Sequence, residues 1–269
     1  MSTRARITIP LFIMLAAGIA AYIWYPQPRE QESHNTTGHG IKHMAIIMDG
    51  NRRWAKKQGL AAWLGHKKGT DPVKTAVEFC VEHTIPHLSL YAFSLENLKR
   101  SQEELDHLFT IVEDGLTNQE FEKLINNGVK VNIIGAQELF PERLKKTFND
   151  IQEKTKNGDK LTLNIMFCYG GQQELTAVMK KLGEEIERGT LKASDISADL
   201  IQHNLWTHAS PNPDLIIRTG GCNRLSNFMP WQSAYSELMF VDTYWPDITK
   251  QDLKNAVTTF TKIQRNFGA

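Results

Sequence analysis

Between His43 and the C-terminus, short apolar runs alternate with longer stretches in which apolar residues recur every three or four positions. The runs are Met44–Met48, His87–Phe93, Val129–Ile134, Leu161–Phe167, Leu215–Arg218 and Leu238–Val241, each of strand length and rich in Ile, Val, Leu or Phe. Between the second and third, Leu105, Leu108, Phe109, Val112 and Leu116 and then Phe121, Leu124 and Ile125 keep helical spacing. Ser101 followed by Glu104 has the form of a capping box at the start of that helix, and Gly128 stops it. Leu175, Val178, Met179, Leu182 and Ile186 mark another helix, closed by Gly189. Strands alternating with helices predict an α/β domain, a mostly parallel sheet covered on both faces. Ligands of such sheets bind where the strands end, so the residues just after each run carry the functional signal.

The N-terminus follows a different pattern. From Ile7 to Tyr25 no residue is charged, a run of about 19 apolar or small residues and long enough to span a membrane. Residues 1–25 are expected to be a transmembrane anchor, with a cleaved signal as the alternative because small residues cluster at 16–21. Residues 26–42 carry no periodicity and read as a linker, which leaves 43–269 as the folded domain. Arg4 and Arg6 favour a cytoplasmic N-terminus. The chemistry below instead favours the domain on the cytoplasmic side.

Composition changes this picture little. Lys and Arg number 31 against 30 Asp and Glu, so the net charge of +1 gives no global attraction for nucleic acid. Cys80, Cys168 and Cys222 are far apart and in no metal-ligand spacing, which argues against a disulfide framework or a zinc module.

The strand ends are more informative. After the first run stands Asp49-Gly50-Asn51-Arg52-Arg53-Trp54, where a glycine turn opens a helix whose amides, with two arginines, suit phosphate. A carboxylate beside an anion site fits a bridging Mg²⁺, which takes one or two carboxylates plus substrate phosphates. The plainer alternative is a helix start with Asp49 as its cap. After the second run, Ser94 is either a cap or a site residue. After the fifth, Arg218-Thr219-Gly220-Gly221 through Arg224-Leu225-Ser226-Asn227-Phe228 forms a second anion cradle. It lacks the Lys-Ser/Thr ending of a nucleotide P-loop. Glu237, directly before the last apolar run, suits a metal ligand or an arginine partner. Two anion cradles, two candidate magnesium carboxylates and large apolar residues on the sheet describe a substrate pair with diphosphate heads and greasy tails.

These residues resemble the cis-prenyltransferases, and among them bacterial undecaprenyl diphosphate synthase. The resemblance rests on Met44–Ala55, Gly65-His66, Tyr91–Asn97, Tyr169-Gly170-Gly171, Asp214–Gly221, Arg224–Phe228, Trp231-Gln232 and Glu237-Leu238, in order from about residue 43 to the C-terminus. It implies a six-stranded sheet flanked by helices around a hydrophobic tunnel, a homodimer and Mg²⁺. The implied reaction is the successive condensation of isopentenyl diphosphate onto an allylic diphosphate, farnesyl diphosphate by expectation, with cis double bonds. A long-chain product such as undecaprenyl diphosphate would follow. By the same resemblance, Asp49 and Asn97 are catalytic and Asp49 and Glu237 hold the metal. The implied substrate-binding residues begin with Gly50, Asn51, Arg52, Arg53, Trp54 and His66. They continue through Ser94, Glu96 and Arg100 to Arg218, Arg224 and Ser226.

Several positions depart from the family pattern. Ala62 stands where an arginine helps clasp the allylic diphosphate, and Cys222, Asn223, Gln172, Leu98 and Asn266 replace commoner residues. They bear on substrate preference and product length. A short-chain or branched prenyl diphosphate synthase, or a non-catalytic partner subunit, is the alternative reading.

Overall fold

A computed structural model describes residues 38–265. The apolar Ile7–Tyr25 segment and Asn266-Phe267-Gly268 lie outside the described residues. Among those described, no helix is long and apolar enough to cross a membrane.

Six strands form one sheet: β1 (His43–Ile47), β2 (His87–Ser94), β3 (Val129–Ile134), β4 (Leu161–Tyr169), β5 (Leu215–Arg218) and β6 (Glu237–Phe240), in the order β3-β4-β2-β1-β5-β6. Every neighbouring pair is parallel, so the expected "mostly parallel" sheet is entirely so. The expected ranges hold to within two residues. The last strand differs most in meaning, because Glu237 is its first residue rather than the one before it.

Alternation along the strands shows why the runs are continuously apolar. Met44 and Ile46 enter the main core, while Ala45 and Ile47 enter a second core on the opposite face; Ile217 and Ile216 divide in the same way. On the main face pack α3 (Asp71–Glu82), α4 (Gln102–Thr117), α5 (Gln119–Asn126), α6 (Glu142–Thr155) and α8 (Lys250–Phe260). The helix expected over 101–127 is two helices, because Asn118 ends α4 in an extended conformation and caps α5 by accepting from Phe121 N at 2.8 Å. At the start of α4, Ser101 Oγ accepts from Glu104 N at 3.4 Å, half of the expected box.

The helix starting at Gly171, α7 (Gly171–Glu187), turns differently from its apolar pattern. Met179 is 66% exposed, whereas Glu174 is buried. The carboxylate of Glu174 is fully hydrogen-bonded there: Tyr169 Oη donates to it at 2.6 Å, Gln232 Nε2 at 2.8 Å and Thr207 N at 3.1 Å. A buried, satisfied carboxylate therefore takes the place that hydrophobicity alone assigns to methionine. At the other end, residues 38–42 of the expected linker pack onto the domain. Ile41 is buried in the main core and His39 Nε2 lies 2.7 Å from His83 O.

The chain leaves β1 for β2 on one side and returns to β1 from the other as β5. The carboxyl end of β1 is thus a topological switch point, where an open parallel sheet leaves a crevice.

Candidate active site

Asp49 lies two residues beyond β1, and register pairs Ile47 with Arg218 at the end of β5. Arg218 Nη2 donates to Asp49 Oδ2 at 2.8 Å, and Arg53 Nη2 stands 3.2 Å from Asp49 Oδ1. Arg53 is held one turn along α1 (Asn51–Lys57), which begins after Gly50. Gly50 has φ +112°, and a Cβ there would meet Tyr244, so the turn that aims the α1 amides admits no side chain. Gly220 has φ +82°, and its Cβ would stand 2.7 Å from Arg53 Nη2. The arginine reaches Asp49 across a glycine backbone. Burial pushes the Asp49 carboxyl up, but the hydrogen bond and charge of Arg218, then those of Arg53, outweigh it and hold Asp49 below its usual range.

The second cradle is built on Arg218, itself only 4% exposed. Its Nη1 donates to Ser226 Oγ at 2.7 Å and to the Arg224 carbonyl, while Nε is buried without a partner. The loop carrying these groups is strained: Ser226, Asn227 and Met229 all have positive φ, at about 1–3 kcal/mol each. It is held by Asn227, whose Oδ1 accepts from Gln172 N at 2.9 Å. Asn227 Nδ2 donates to Gln173 Oε1 at 2.9 Å and to Glu96 Oε1 at 3.1 Å.

A third cluster faces the first. His66, on α2 (Ala62–Lys68), has its Nε2 3.4 Å from Arg100 Nη1, and Arg100 donates to Glu104 Oε1 at 3.0 Å. Arg52 Nε is 3.7 Å from the same oxygen. Burial, then the charges of Arg100 and Arg52, lower the His66 pKa to about 4. The ring is therefore neutral at physiological pH. Asn97 Oδ1 accepts from Ser94 N at 3.2 Å at the start of the 3₁₀ turn Leu95–Lys99. Ser94 is thus both the cap and a wall residue.

All three clusters open into one cavity of about 980 Å³. Asp49, Gly50, Asn51, Arg52, Arg53, His66, Ser94, Asn97, Arg100, Arg218, Arg224 and Ser226 line it at the sheet end. It continues between the sheet (Leu90, Phe93, Ile165) and α4 and α5. Three expected site residues do not line it. Trp54 Nε1 turns away to donate to Asp247 Oδ1 at 2.7 Å, and Glu96 is exposed and holds the Asn227 loop instead. Glu237 pairs with Leu215 at the opening of β6, three residues before the position that pairs with Arg218. Because the strands are parallel, it sits toward the amino end of the sheet while Asp49 sits beyond the carboxyl end. Among the described residues, no three His, Cys, Asp or Glu gather in a metal-binding group. Asp49 is the carboxylate held by both Arg53 and Arg218. Ala62 lines a neighbouring recess of about 480 Å³ with Arg52, Arg53 and Lys56, and Arg52 reaches toward Glu104 rather than filling the missing arginine's role.

Sequence reasoning passed over Asn227 as a site-supporting residue, although it stands inside the Arg224–Phe228 motif. It also passed over Thr219, whose Oγ1 donates to Asp49 O at 2.7 Å and fixes the backbone under the carboxylate.

The buried histidines give the domain an acid limit. His43, fully buried between Pro211 O (2.6 Å) and Ser89 Oγ (2.8 Å), has its pKa lowered to about 4, chiefly by burial. A lowered histidine pKa means that the unfolded chain takes up the proton first. The stability is complete above pH 6.5 and is lost as pH falls toward 4. His43 alone would forfeit on the order of 3 kcal/mol, and His66 acts in the same direction. Thermal melts at pH 7.5 and 4.5 are expected to show a marked drop in Tm at the lower pH; equal Tm values would contradict it.

Comparison with known proteins agrees with this architecture. Residues 47–268 match the family model described as putative undecaprenyl diphosphate synthase. An isoprenyl transferase of Clostridium perfringens is 42% identical over 227 residues, 84% of this chain and 89% of its own length. A tritrans,polycis-undecaprenyl-diphosphate synthase of Pyrococcus furiosus, described as geranylgeranyl-diphosphate specific, is 40% identical over 84% of this chain and 86% of its own. Among solved structures, lavandulyl diphosphate synthase from Lavandula x intermedia, in complex with dimethylallyl diphosphate, superposes with a TM-score of 0.83. It is 30% identical, over 86% of this chain and 99% of its own. A probable undecaprenyl diphosphate synthase of Campylobacter jejuni gives 0.71 and 31% identity, over 85% and 99%. With an all-parallel sheet, paired arginine cradles at its switch point and relatives at about 40% identity along most of its length, the chain belongs to the undecaprenyl diphosphate synthase family of cis-prenyltransferases and is a prenyl-transferring enzyme.

Proposed function

We propose that this enzyme condenses isopentenyl diphosphate with an allylic diphosphate and repeats the step to give a long-chain, cis-configured polyprenyl diphosphate. The observation that carries the reading is the single cavity that holds two arginine cradles meeting at Asp49 and runs on between apolar side chains of the sheet, α4 and α5.

The allylic diphosphate would lie against the α1 amides, Arg53 and neutral His66. As its C–O bond ionises, negative charge accumulates on the diphosphate, and these cavity-lining donors would stabilise it. Arg218, Arg224 and Ser226 would hold the diphosphate of isopentenyl diphosphate and place its double bond facing the allylic carbon. The condensation product is a carbocation that loses a proton readily. Asn97 and Ser94, which line the cavity, would orient that step without a strong base. The donor chemistry fits magnesium, since Asp49 is an ionised carboxylate between two diphosphate sites and Mg²⁺ completes its shell with substrate phosphates and water. Asp49 would hold the ion, which would add charge neutralisation to the departing diphosphate.

Each CH₂ of the growing tail buried in the cavity contributes about 0.8 kcal/mol. This supports a long product over a short or branched one. Farnesyl diphosphate is the proposed primer, and the Pyrococcus relative's geranylgeranyl specificity names the competing choice. The intact Asp49 and Arg218 constellation speaks against a non-catalytic subunit. A homodimer through the β6 edge is part of the reading, supported by Leu238 and Phe240, 42% and 38% exposed there. Membrane attachment through residues 1–25, with the catalytic domain on the cytoplasmic side, is proposed because the product is a lipid and the substrates are soluble metabolites.

The test is to incubate the full chain with Mg²⁺, labelled isopentenyl diphosphate and either farnesyl or geranylgeranyl diphosphate. Long, solvent-extractable labelled lipid with farnesyl diphosphate is expected. Absence of product from both primers with folded protein would refute the reading.

A further inference from the structure

The apolar half of the cavity has one wall position without a side chain. On α4, Leu108, Val112 and Gly115 follow one another at four- and three-residue steps, so they form one stripe on the helix, and all three line the cavity with Ile111 beside them. A glycine inside a helix costs about 1 kcal/mol relative to alanine. Gly115 has neither of the usual reasons for one: its φ is not positive, and nothing stands within 4 Å of where a Cβ would be. Open space at a cavity-lining position is space that a ligand can use.

Leu116 on the same helix and Phe121 and Leu124 on α5 add apolar surface to the same cavity. A hydrocarbon tail in the cavity gains contact with these side chains.

On the reading that this cavity holds the growing tail, we propose that Gly115 is a specificity-determining residue for product length. Its missing side chain leaves room for the tail beside Val112 and Leu116 that a larger residue would take.

The test is product-length analysis of Gly115→Leu and Gly115→Phe beside wild type and Gly183→Leu, with labelled isopentenyl diphosphate, farnesyl diphosphate and Mg²⁺. Gly183 lies inside α7, also with nothing within 4 Å of a Cβ, and does not line the cavity, so it controls for helix propensity. Replacing glycine in a helix favours folding, and thermal unfolding checks that each variant is intact. The expected result is a longest product shorter by at least one isoprene unit in Gly115→Leu, shorter again in Gly115→Phe, and unchanged in Gly183→Leu. An unchanged length distribution in both Gly115 variants would overturn the proposal. So would equal shortening in the control, or a uniform loss of product at every length in folded Gly115 variants. If wild type itself forms no prenyl product, it is the functional reading that fails.

Discussion

Asp49→Ala is expected to lower prenyl transfer by at least about a thousandfold. The carboxylate pairs with an arginine of each cradle, so its loss removes the proposed anchor for magnesium and the partner that orients Arg53 and Arg218. A thousandfold loss corresponds to about 4 kcal/mol of transition-state stabilisation, a range typical of one electrostatic contact at a developing charge. The substitution also leaves Arg218, almost wholly buried, without its carboxylate. Breaking a buried pair costs about 3–5 kcal/mol, and the partial exposure of Asp49 places the effect at the lower end. Asp49→Asn separates the two consequences. Its amide oxygen still accepts from Arg218, so the fold is expected to hold while turnover stays as low as in Asp49→Ala. Steady-state rates and thermal melts on both variants check this. An Asn variant with more than a tenth of wild-type activity would contradict the role of the charge.

The second large effect is expected at Arg218. Arg218→Ala removes the donor to Asp49, to Ser226 Oγ and to the Arg224 carbonyl together. Loss of such a fixed cationic donor is worth about 10²–10³ in rate, and the KM for isopentenyl diphosphate should rise more than that for the allylic substrate. Arg218→Lys should rescue poorly, because one ammonium does not reproduce the guanidinium fork that spans Asp49 and Ser226. There is also a pH signature. Arg218 is the chief influence holding the Asp49 carboxyl down, so in Arg218→Ala the acid limb of the rate profile is expected to move toward neutrality. An unshifted limb with unchanged KM values would contradict the assignment.

Much of this was readable from the chain. Burial on both faces writes continuous apolar runs, and the six strands follow from them. The two cradles follow from the glycine turns and arginines directly after β1 and β5. Other features depend on tertiary partners that periodicity does not encode. Glu174 displaces Met179 from the buried face of α7 because Tyr169, Thr207 and Gln232 converge on its carboxylate. Asn118 splits one apparent helix into α4 and α5 because its side chain caps the second. Glu237 belongs to a strand whose parallel register carries it away from Asp49, a fact about pairing rather than about residue type. Trp54 and Glu96 sit within recognisable motifs yet act as supports, on Asp247 and Asn227.

The central claim is that two diphosphates occupy two cradles of this chain at once. It is tested most directly by calorimetric titration of isopentenyl diphosphate into the Mg²⁺-loaded enzyme already saturated with a non-ionisable thio analogue of farnesyl diphosphate. The account predicts that isopentenyl diphosphate still binds, at one molecule per chain, and that Arg218→Ala weakens this binding strongly while retaining the analogue. Displacement of the analogue by isopentenyl diphosphate would show a single shared site and contradict the account.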